Sequence, residues 1–278
     1  MPNIQSLQSN KHIASYVARA AIKALYYELA LYPKPGLVSF IDNGAHADMN
    51  GQMLFKSLFS LRHYFYRISL LAIENKPLVE QVRLGIQAER KMLAVTHGVN
   101  THRGAIFSLG IFCSCVAKRL SDKNKLTPIT IQTELINYWS EHLLKKHHMI
   151  TNTHGAVVKR KFNIGGAKEM AISGYQLVFD TYRELIDSQV NNTIFGLRGY
   201  CLLLSKMEDT NIIHRCGLSG LKYAKDQINC TFCLENENLV VKMLDIHHSF
   251  CIKNISPGGV ADMIGVLYFL KLILGDRV

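Results

Sequence analysis

Residues 98–110 read Gly-Val-Asn-Thr-His-Arg-Gly-Ala-Ile-Phe-Ser-Leu-Gly, a glycine-bounded polar turn that leads directly into apolar sequence. The apolar run continues from Ala105 to Val116, which is long enough for a buried helix. The first N–H groups of a helix lack partners within it, and the helix dipole adds positive potential at the same end. The stretch therefore predicts a buried helix whose beginning attracts anions. A plain helix cap at Thr101 and a solvated His102 explain it equally well at this point.

Polar turns of this kind recur between helical segments along the whole chain of 278 residues. Helical periodicity dominates, and alternating strand-like runs are nearly absent. We therefore predict an all-α fold, a single domain over residues 1–278 with roughly ten helices and long polar functional loops. The helices are expected at about 11–31, 52–73, 77–93, 105–116, 127–146, 167–187, 193–206, 218–228, 235–254 and from Ser256-Pro257-Gly258-Gly259 onward. Thr127 is predicted to cap the helix over 127–146, with Pro128 as its first residue.

Composition excludes several classes of protein. Hydrophobic residues make up 48% of the chain, so disorder is not expected. The longest apolar runs, 105–116 and 263–274, are shorter than a membrane span, and the polar N-terminus lacks the apolar centre of a signal peptide. A cytoplasmic protein with no membrane partner is expected. The seven cysteines are predicted to be free thiols, since Cys230-Thr-Phe-Cys233 has no second half of a zinc site.

The net charge of +11 suggests a polyanionic partner. The basic residues do not form one long block; several stand singly in predicted polar turns, at Lys34, Arg103, Lys168 and Arg215. Dispersed cations suit a compact phosphorylated ligand better than the continuous basic face that nucleic acid requires. The charge pattern therefore predicts a small phosphorylated substrate and no nucleic-acid partner.

Three acidic residues stand in polar turns or at the first turn of a predicted helix: Asp48, Asp209 and Asp262. Hard oxygen ligands of this kind suit Mg²⁺, which keeps several waters and bridges substrate phosphates. The alternative for each is a helix cap, which is the better interpretation of any one of them taken singly. Each also has polar or glycine neighbours that could contact a phosphate: Asn43 and His46, Asn211 and Arg215, Ser256 and Gly258.

A glycine pair opens a predicted helix at Gly165-Gly166-Ala167-Lys168-Glu169. One interpretation is an anion cradle with Lys168, in which Glu169 acts as an acid or base. The other is the end of one helix followed by the start of the next. The segment matches neither a P-loop nor a dinucleotide-binding fingerprint.

Taken together, five segments resemble, in order, the motifs of the triphosphoribosyl-dephospho-CoA synthase family. They are Pro33–Val38 with Asn43–Met49, Gly98–Gly110, Gly166–Glu169 with Gly174, Asp209–Asn211 with His214-Arg215, and Ser256–Gly259 with Ala261-Asp262. The resemblance implies an all-helical pentosyltransferase that joins the triphosphoribosyl group of ATP to the ribose 2′-hydroxyl of 3′-dephospho-CoA and releases adenine. The product would be the prosthetic-group precursor for the acyl carrier subunit of malonate decarboxylase or citrate lyase, passed on by a holo-acyl-carrier-protein synthase.

With this chemistry we assign roles to individual residues as hypotheses. Proton transfer is assigned to Glu169, His102 or Asp209, and Mg²⁺ to Asp48, Asp209 and Asp262. Substrate phosphates and riboses are assigned to Lys34, Asn43, His46, Asn100, Thr101, Arg103, Lys168, Asn211, Arg215, Ser256, Gly258 and Gly259. A homodimer is left open.

The sequence departs from the family pattern at several positions. Ser39 stands where the family often has Asp, Arg103 replaces a common Lys, Met170 stands where a small residue is usual, and Cys216 where a glycine is usual. The segment Thr151–Lys161 is unusually basic. Two other classes remain open: a magnesium-dependent hydrolase of the same N-glycosidic bond, and a non-catalytic basic helical protein that binds nucleic acid.

Overall fold

The computed structural model describes residues 4–145, 158, 161, 164–188 and 190–275. Within this part of the chain there are helices and turns but no strand, which confirms the all-α prediction. A π-helical stretch spans Ile136–Ser140. The helices, numbered in chain order, are α1 Ile4–Ala30, α2 Gly51–Ser60, α3 Arg62–Ile73, α4 Leu78–Val95, α5 Arg103–Ser121, α6 Pro128–Leu135, α7 Glu141–Lys145, α8 Ala167–Ile172, α9 Gln176–Ile186, α10 Asn192–Lys206, α11 Thr210–Asn229, α12 Asn236–Ile252 and α13 Gly258–Gly275.

Four helices, α1, α3, α5 and α13, pack against one another and form the centre of the molecule. Helix α5 is buried almost all round, from Ala105 to Ala117, and α13 from Val260 to Leu270. A helix that is apolar on every side can be stable only inside a core. The polar beginnings of α5 and α13 therefore mark one end of the core, and the functional residues lie there.

The sequence predicted one continuous helix over 52–73. This is wrong, because the helix is interrupted at Leu61 and forms two helices, α2 and α3. Predicted helix 167–187 also breaks, into α8 and α9. Gly174 and Tyr175 there both have positive φ, 66° and 53°, which no α-helix accommodates. The apolar periodicity passed through both breaks, so the sequence pattern did not reveal them.

The polar turn predicted to carry His214 and Arg215 is helical instead. Helix α11 begins at Thr210 and contains both residues, and it is interrupted at Gly217, where φ is 70° and ψ −173°. Arg103 likewise lies in the first turn of α5 rather than in a loop, whereas Lys168 lies in the first turn of α8, at the beginning of the helix predicted there. The Thr127 cap with Pro128 behind it is confirmed, since the Thr127 hydroxyl accepts the N–H of Thr130. The basic segment Thr151–Lys161 lies outside the described residues except for Val158 and Lys161.

Two helices, α5 and α13, are long and apolar enough to cross a membrane by length and composition, although the apolar runs in the sequence were shorter. The most apolar 18-residue segment of α5 is 67% buried inside the protein, and that of α13 is 56% buried. The central helices of a globular core have the same composition, so this is weak evidence for a membrane span. The seven cysteines are all free, as predicted, and Cys113, Cys115 and Cys201 are buried.

Close packing between α3 and α5 gives a test of this core. The Tyr64 hydroxyl donates to the carbonyl oxygen of Ile106 at 2.9 Å, and a Cβ on Gly110 would lie 2.0 Å from that hydroxyl oxygen. We expect Gly110→Ala to lower the free energy of unfolding by about 1–3 kcal/mol, because Tyr64 must move and lose its hydrogen bond. Urea unfolding followed by circular dichroism measures this.

Gly85→Ala is the matched control, because a Cβ on Gly85 would lie 3.6 Å from the same tyrosine oxygen, an ordinary contact. Alanine favours a helix interior over glycine by up to about 1 kcal/mol, so this variant should be as stable as the parent or more stable. Equal unfolding midpoints for the two variants would contradict the packing described.

Candidate functional site

Four of the five motif segments meet at the polar end of the core, and Asp209 joins two of them. Its Oδ1 accepts the N–H groups of Asn211 at 2.9 Å and Ile212 at 3.1 Å, at the beginning of α11. Its Oδ2 accepts the N–H of Val260 at 2.9 Å, at the beginning of α13. Burial raises the pKa of Asp209, and these backbone donors lower it. Both oxygens of this carboxylate are thus engaged by the fold.

Asp262, in the first turns of α13, lies directly against the beginning of α5. A Cβ on Gly104 would be 1.8 Å from its Oδ2, so only glycine allows the two helices to approach in this way. Burial, followed by the negative charges of Glu28 and Asp209, raises the pKa of Asp262 well above that of an ordinary carboxyl group, while the N–H of Ala105 lowers it. The raised pKa makes Asp262 a carboxyl group suited to holding a proton, and its partial exposure leaves it accessible to a ligand.

Lys34 is fully buried and pairs with the buried carboxylate of Glu28. Its Nζ also donates to the Glu28 carbonyl oxygen at 2.6 Å. Burial lowers the pKa of Lys34, and Glu28 raises it. The lysine charge therefore compensates a carboxylate within the protein, and the phosphate-binding role assigned to Lys34 stays a prediction.

His102 is buried beside two hydroxyl groups. Its Nδ1 lies 2.8 Å from Ser57 Oγ and 3.2 Å from Thr101 Oγ1, and those two oxygens are 2.7 Å apart. Its Nε2 has no hydrogen-bond partner within the described residues. Burial, with Lys34 nearby, lowers the pKa of His102 to about 3. His102 is therefore a neutral imidazole at pH 7, oriented through Nδ1, and its buried Nε2 has an unused hydrogen-bonding position.

The cationic side of the site is formed by Arg215, with His46 beside it. His46 Nε2 lies 2.8 Å from Ser256 Oγ and 3.3 Å from Arg215 Nη1. A guanidinium only donates, so Nε2 is the acceptor and the Nδ1–H faces Asp48 Oδ1 at 3.1 Å. Burial lowers the pKa of His46; the hydrogen bond to Asp48 raises it, and Arg215 lowers it.

Arg215 also holds two turns together. It donates through Nη2 to the carbonyl oxygen of Ala45 and to Asn254 Oδ1, and through Nε to the Asn254 carbonyl oxygen at 3.1 Å. These contacts fix the loop that carries His46 against the turn before α13. The sulfur of Cys216, one of the departures from the family pattern, lies 3.2 Å from the same Asn254 carbonyl.

The glycine pair that begins α13 makes room for two of these side chains. A Cβ on Gly258 would be 2.9 Å from Asn211 Nδ2, and a Cβ on Gly259 would be 2.9 Å from Asp209 Oδ2. The structure therefore places Asn211, Ser256, Gly258 and Gly259 in one neighbourhood, as the sequence motifs suggested.

The remaining predicted residues lie at the edges of this neighbourhood or away from it. Asn43 and Asp48 are exposed in the loop before α2. Asn100 Oδ1 accepts the Arg103 N–H at 3.1 Å and so caps α5, while Arg103 Nε donates to Glu89 Oε1 at 2.6 Å. Glu169 Oε2 accepts the N–H of Gly166 at 2.8 Å and so caps α8. Helix α8 also carries Lys168, and it packs against α5 and the π-helical stretch. The catalytic role of Glu169 and the phosphate roles of Arg103 and Lys168 remain predictions.

No described group of three or more His, Cys, Asp or Glu side chains is arranged to hold a metal ion. Asp48 is exposed, Asp209 is saturated by backbone donors, and Asp262 lies against Gly104, so the three carboxylates have different surroundings. Within the described residues these three carboxylates do not come together as one metal centre. Their assignment to Mg²⁺ stays a prediction.

Sequence reasoning missed several buried polar residues of the site. Glu28 continues the apolar stripe of Ala21, Ala24 and Leu25, and Ser57 occupies the buried face of α2. A polar residue at a core position of a helix is the signal that could have identified both. Tyr175, buried beside Ser108 and Asp262, carried no such signal, because an aromatic residue at that position is ordinary core sequence. Ser39 is another of the departures from the family pattern. Its Oγ accepts the N–H of Ile41 at 3.0 Å and so stabilises the turn that contains it.

These contacts place buried carboxyl groups beside the beginnings of three helices, α5, α11 and α13, with His46 and Arg215 next to them.

Comparison with known proteins identifies similar sequences. A family model described as ATP:dephospho-CoA triphosphoribosyl transferase matches residues 14–277. A protein of Acinetobacter calcoaceticus named probable 2-(5''-triphosphoribosyl)-3'-dephosphocoenzyme-A synthase is 31% identical, over 96% of each chain.

A Haemophilus ducreyi protein named 2-(5''-triphosphoribosyl)-3'-dephosphocoenzyme-A synthase is 30% identical over 98% of this chain and 93% of its own length. The Haemophilus influenzae protein CitXG is 32% identical over 98% of this chain, which spans 63% of that longer protein. No solved structure matches the chain.

The capping role of Asp209 predicts a large effect on stability. We expect Asp209→Ala to lower the free energy of unfolding by about 2–4 kcal/mol, because a helix cap is lost and buried N–H groups at two helices lose their acceptor. Asp226→Ala, which removes an exposed partner of Lys222 within α11, should change it by about 0.5 kcal/mol or less. Urea unfolding of both variants measures the difference, and similar losses in the two would contradict the capping role.

The low pKa of His102 predicts a pH-dependent stability. Its folded pKa of about 3 lies below its unfolded value of about 6.5, so the unfolded chain binds the extra proton between these values. Stability from this group is complete above pH 6.5 and is lost as the pH falls towards 3. Between pH 7 and pH 5 the parent should lose about 2 kcal/mol more than His102→Asn.

His63→Asn, at an exposed histidine of α3, is the control and should follow the parent across this range. Urea midpoints at several pH values provide the measurement. The same pH dependence in the parent and in His102→Asn would show that His102 is not held neutral by the fold.

Proposed function

This chain belongs to the ATP:dephospho-CoA triphosphoribosyl transferase family, and from that membership we propose that it joins the triphosphoribosyl group of ATP to 3′-dephospho-CoA and releases adenine. The observation that carries the proposal within the molecule is the meeting of four motif segments at one end of the core. Asp209 holds two of these segments together through backbone N–H groups of α11 and α13. The enzyme interpretation is favoured over a nucleic-acid-binding protein, because the family match covers residues 14–277.

The product would be 2′-(5″-triphosphoribosyl)-3′-dephospho-CoA, which agrees with the printed names of the relatives. We propose that it serves as the prosthetic-group precursor of an acyl carrier subunit in malonate decarboxylase or citrate lyase. A holo-acyl-carrier-protein synthase would then take it over, in the cytoplasm. The residues described above favour neither malonate decarboxylase nor citrate lyase as the enzyme that receives the product.

The reaction forms a bond from the acceptor 2′-hydroxyl oxygen to C1 of the ATP ribose and breaks the bond from that carbon to adenine. By analogy with glycoside hydrolysis, positive charge develops at the sugar carbon in the transition state. Carboxylates close to this carbon would stabilise that charge, and Glu28 and Asp209, which both act on Asp262, are proposed to provide them. The triphosphate would lie on the side of Arg215, His46 and the beginning of α13.

Two proton transfers accompany the displacement. The departing adenine needs a proton, and Asp262 is proposed as its donor because burial and neighbouring carboxylates raise its pKa. The attacking hydroxyl must lose a proton, and His102 Nε2, which is unprotonated and has no partner among the described residues, is proposed as the acceptor, although its pKa of about 3 makes it a weak base. Glu169 and Asp209 are the other proposed proton-transfer groups, although each already accepts backbone N–H groups.

Magnesium is proposed to enter as part of the ATP substrate rather than as a resident ion. Mg²⁺ is usually held by substrate phosphates, water and one or two carboxylates. The Asp48 side chain is 61% exposed next to His46 and could reach such an ion on the triphosphate. Magnesium would supply charge neutralisation at the phosphates.

The activity can be tested directly by chromatography of adenine released from ATP and Mg²⁺, with and without 3′-dephospho-CoA. Release only in the presence of both substrates, together with a heavier CoA product, is expected. Adenine release without 3′-dephospho-CoA would instead show a nucleotide N-glycosidic hydrolase. No release with both substrates present would contradict the proposed function.

The proton-donor role predicts that Asp262→Asn lowers kcat by about 10²–10⁴-fold, the usual contribution of general acid catalysis. The amide keeps the shape of the carboxyl group but cannot supply the proton. Asp226→Asn, on the exposed face of α11, should keep the parent kcat. Turnover by Asp262→Asn within about twofold of the parent would remove Asp262 from the proton-transfer step, provided that urea unfolding shows both variants folded.

A further inference from the structure

An open cleft of about 430 Å³ lies between the loop after Val38 and the beginning of α2, outside the group of residues described above. The beginning of α2 is clamped to this loop, because a Cβ on Gly51 would lie 2.4 Å from the Ser39 carbonyl oxygen. Asn50 Oδ1 caps α2 by accepting the Met53 N–H at 2.9 Å. Both walls of the cleft are therefore held in place before any ligand arrives.

Exposed aromatic rings form the apolar part of this cleft. Phe40 and Phe55 line it, with 47% and 42% of their surface exposed, and their ring centroids are 6.2 Å apart. Tyr26, 42% exposed, lies 5.8 Å from Phe40 and 6.5 Å from Phe55. Large aromatic surfaces left in water at one place mark a binding site more often than scattered single residues do.

The polar part of the cleft consists mainly of amides. Asn43, Asn50 and Gln52 contribute side chains that can both donate and accept hydrogen bonds. Asp42 is the charged residue of the lining, and its Oδ1 already accepts the Gly44 N–H at 2.8 Å and lies 3.1 Å from His247 Nε2. The lining contains no cation, so it does not suit a phosphate. It suits a neutral, flat heterocycle, because aromatic rings stack on such a ring and amides pair with its edge.

We propose that this cleft is the subsite for the adenine base of a substrate nucleotide, stacked on Phe55 and Phe40 and read by the neighbouring amides. The inference rests on the proposed function, in which both ATP and 3′-dephospho-CoA carry adenine. Loop 39–50 connects the cleft to the cationic side of the site. It contributes Phe40 and Asn43 to the cleft and His46 to the contacts with Ser256 and Arg215. A nucleotide has the same order of parts, a neutral base at one end and phosphates at the other.

Isothermal titration of ATP alone and of 3′-dephospho-CoA alone tests the proposal and identifies the source of the base. Phe55→Leu keeps an apolar side chain but removes the ring, and it should weaken binding of one nucleotide roughly tenfold, as loss of a base–aromatic stack does. Phe55→Tyr keeps the ring and should bind like the parent. A loss confined to 3′-dephospho-CoA assigns the cleft to the acceptor, and a loss confined to ATP assigns it to the donor.

Phe59→Leu is the matched control, one helical turn further along α2, where Phe59 is 52% exposed, contacts Arg62 and does not line the cleft. It should bind both nucleotides like the parent. If Phe55→Leu also binds both like the parent while the parent releases adenine normally, the subsite is overturned and the proposed function stands. If Phe55→Leu weakens nucleotide binding but the parent transfers nothing, the subsite stands and the proposed reaction fails.

A second copy of the chain is the competing occupant of these aromatic residues. Sedimentation velocity of the parent and of Phe55→Leu distinguishes it, because the proposed base subsite predicts the same oligomeric state for both. A parent dimer that becomes monomeric in Phe55→Leu, with unchanged nucleotide affinity, would overturn the subsite and assign the cleft to self-association.

Discussion

The carboxylate of Asp209 joins the beginnings of two helices, and the layout of the site depends on that joint. One oxygen accepts N–H groups of α11 and the other accepts an N–H group of α13. Because α11 carries Arg215 and α13 carries Asp262, the same carboxylate determines where a cation and a second acid lie. A glycine in the first turn of α13 is required by this joint, since a Cβ on Gly259 would crowd Asp209 Oδ2.

Charge is separated within this end of the molecule. Glu28, Asp209 and Asp262 influence one another inside the protein, and the buried ammonium of Lys34 compensates Glu28. The beginnings of α5, α11 and α13 supply further positive potential through their N–H groups. Arg215 and His46 lie beside this group and contact the turns that lead to α13. A reaction that needs negative charge near a sugar carbon and positive charge near phosphates requires this kind of division.

Helical periodicity and turn composition were sufficient to predict the all-α class, the apolar character of α5 and α13, and the Thr127 cap. The breaks at Leu61 and Gly174 were not predictable, because each lies within a continuous apolar pattern and depends on how neighbouring helices pack. The motifs identified polar residues that the fold brings together, such as His46 and Ser256, which are 210 positions apart. The sequence could not show that the charge of Lys34 is used inside the fold, since burial is a property of the assembled structure.

Residues 36–51 explain how one loop can serve two neighbouring surfaces. Its backbone is fixed by close approaches: a Cβ on Gly36 would be 2.1 Å from the Ile255 carbonyl oxygen, and one on Gly44 would be 2.6 Å from the Leu37 carbonyl oxygen. The Ser39 N–H donates to the Asp42 carbonyl at 2.9 Å, which closes the turn between them. A loop held in this way loses little further conformational entropy when a ligand binds. It can therefore hold His46 in position on one side and Phe40 on the other, so that a long substrate meets two preformed surfaces rather than ordering them itself.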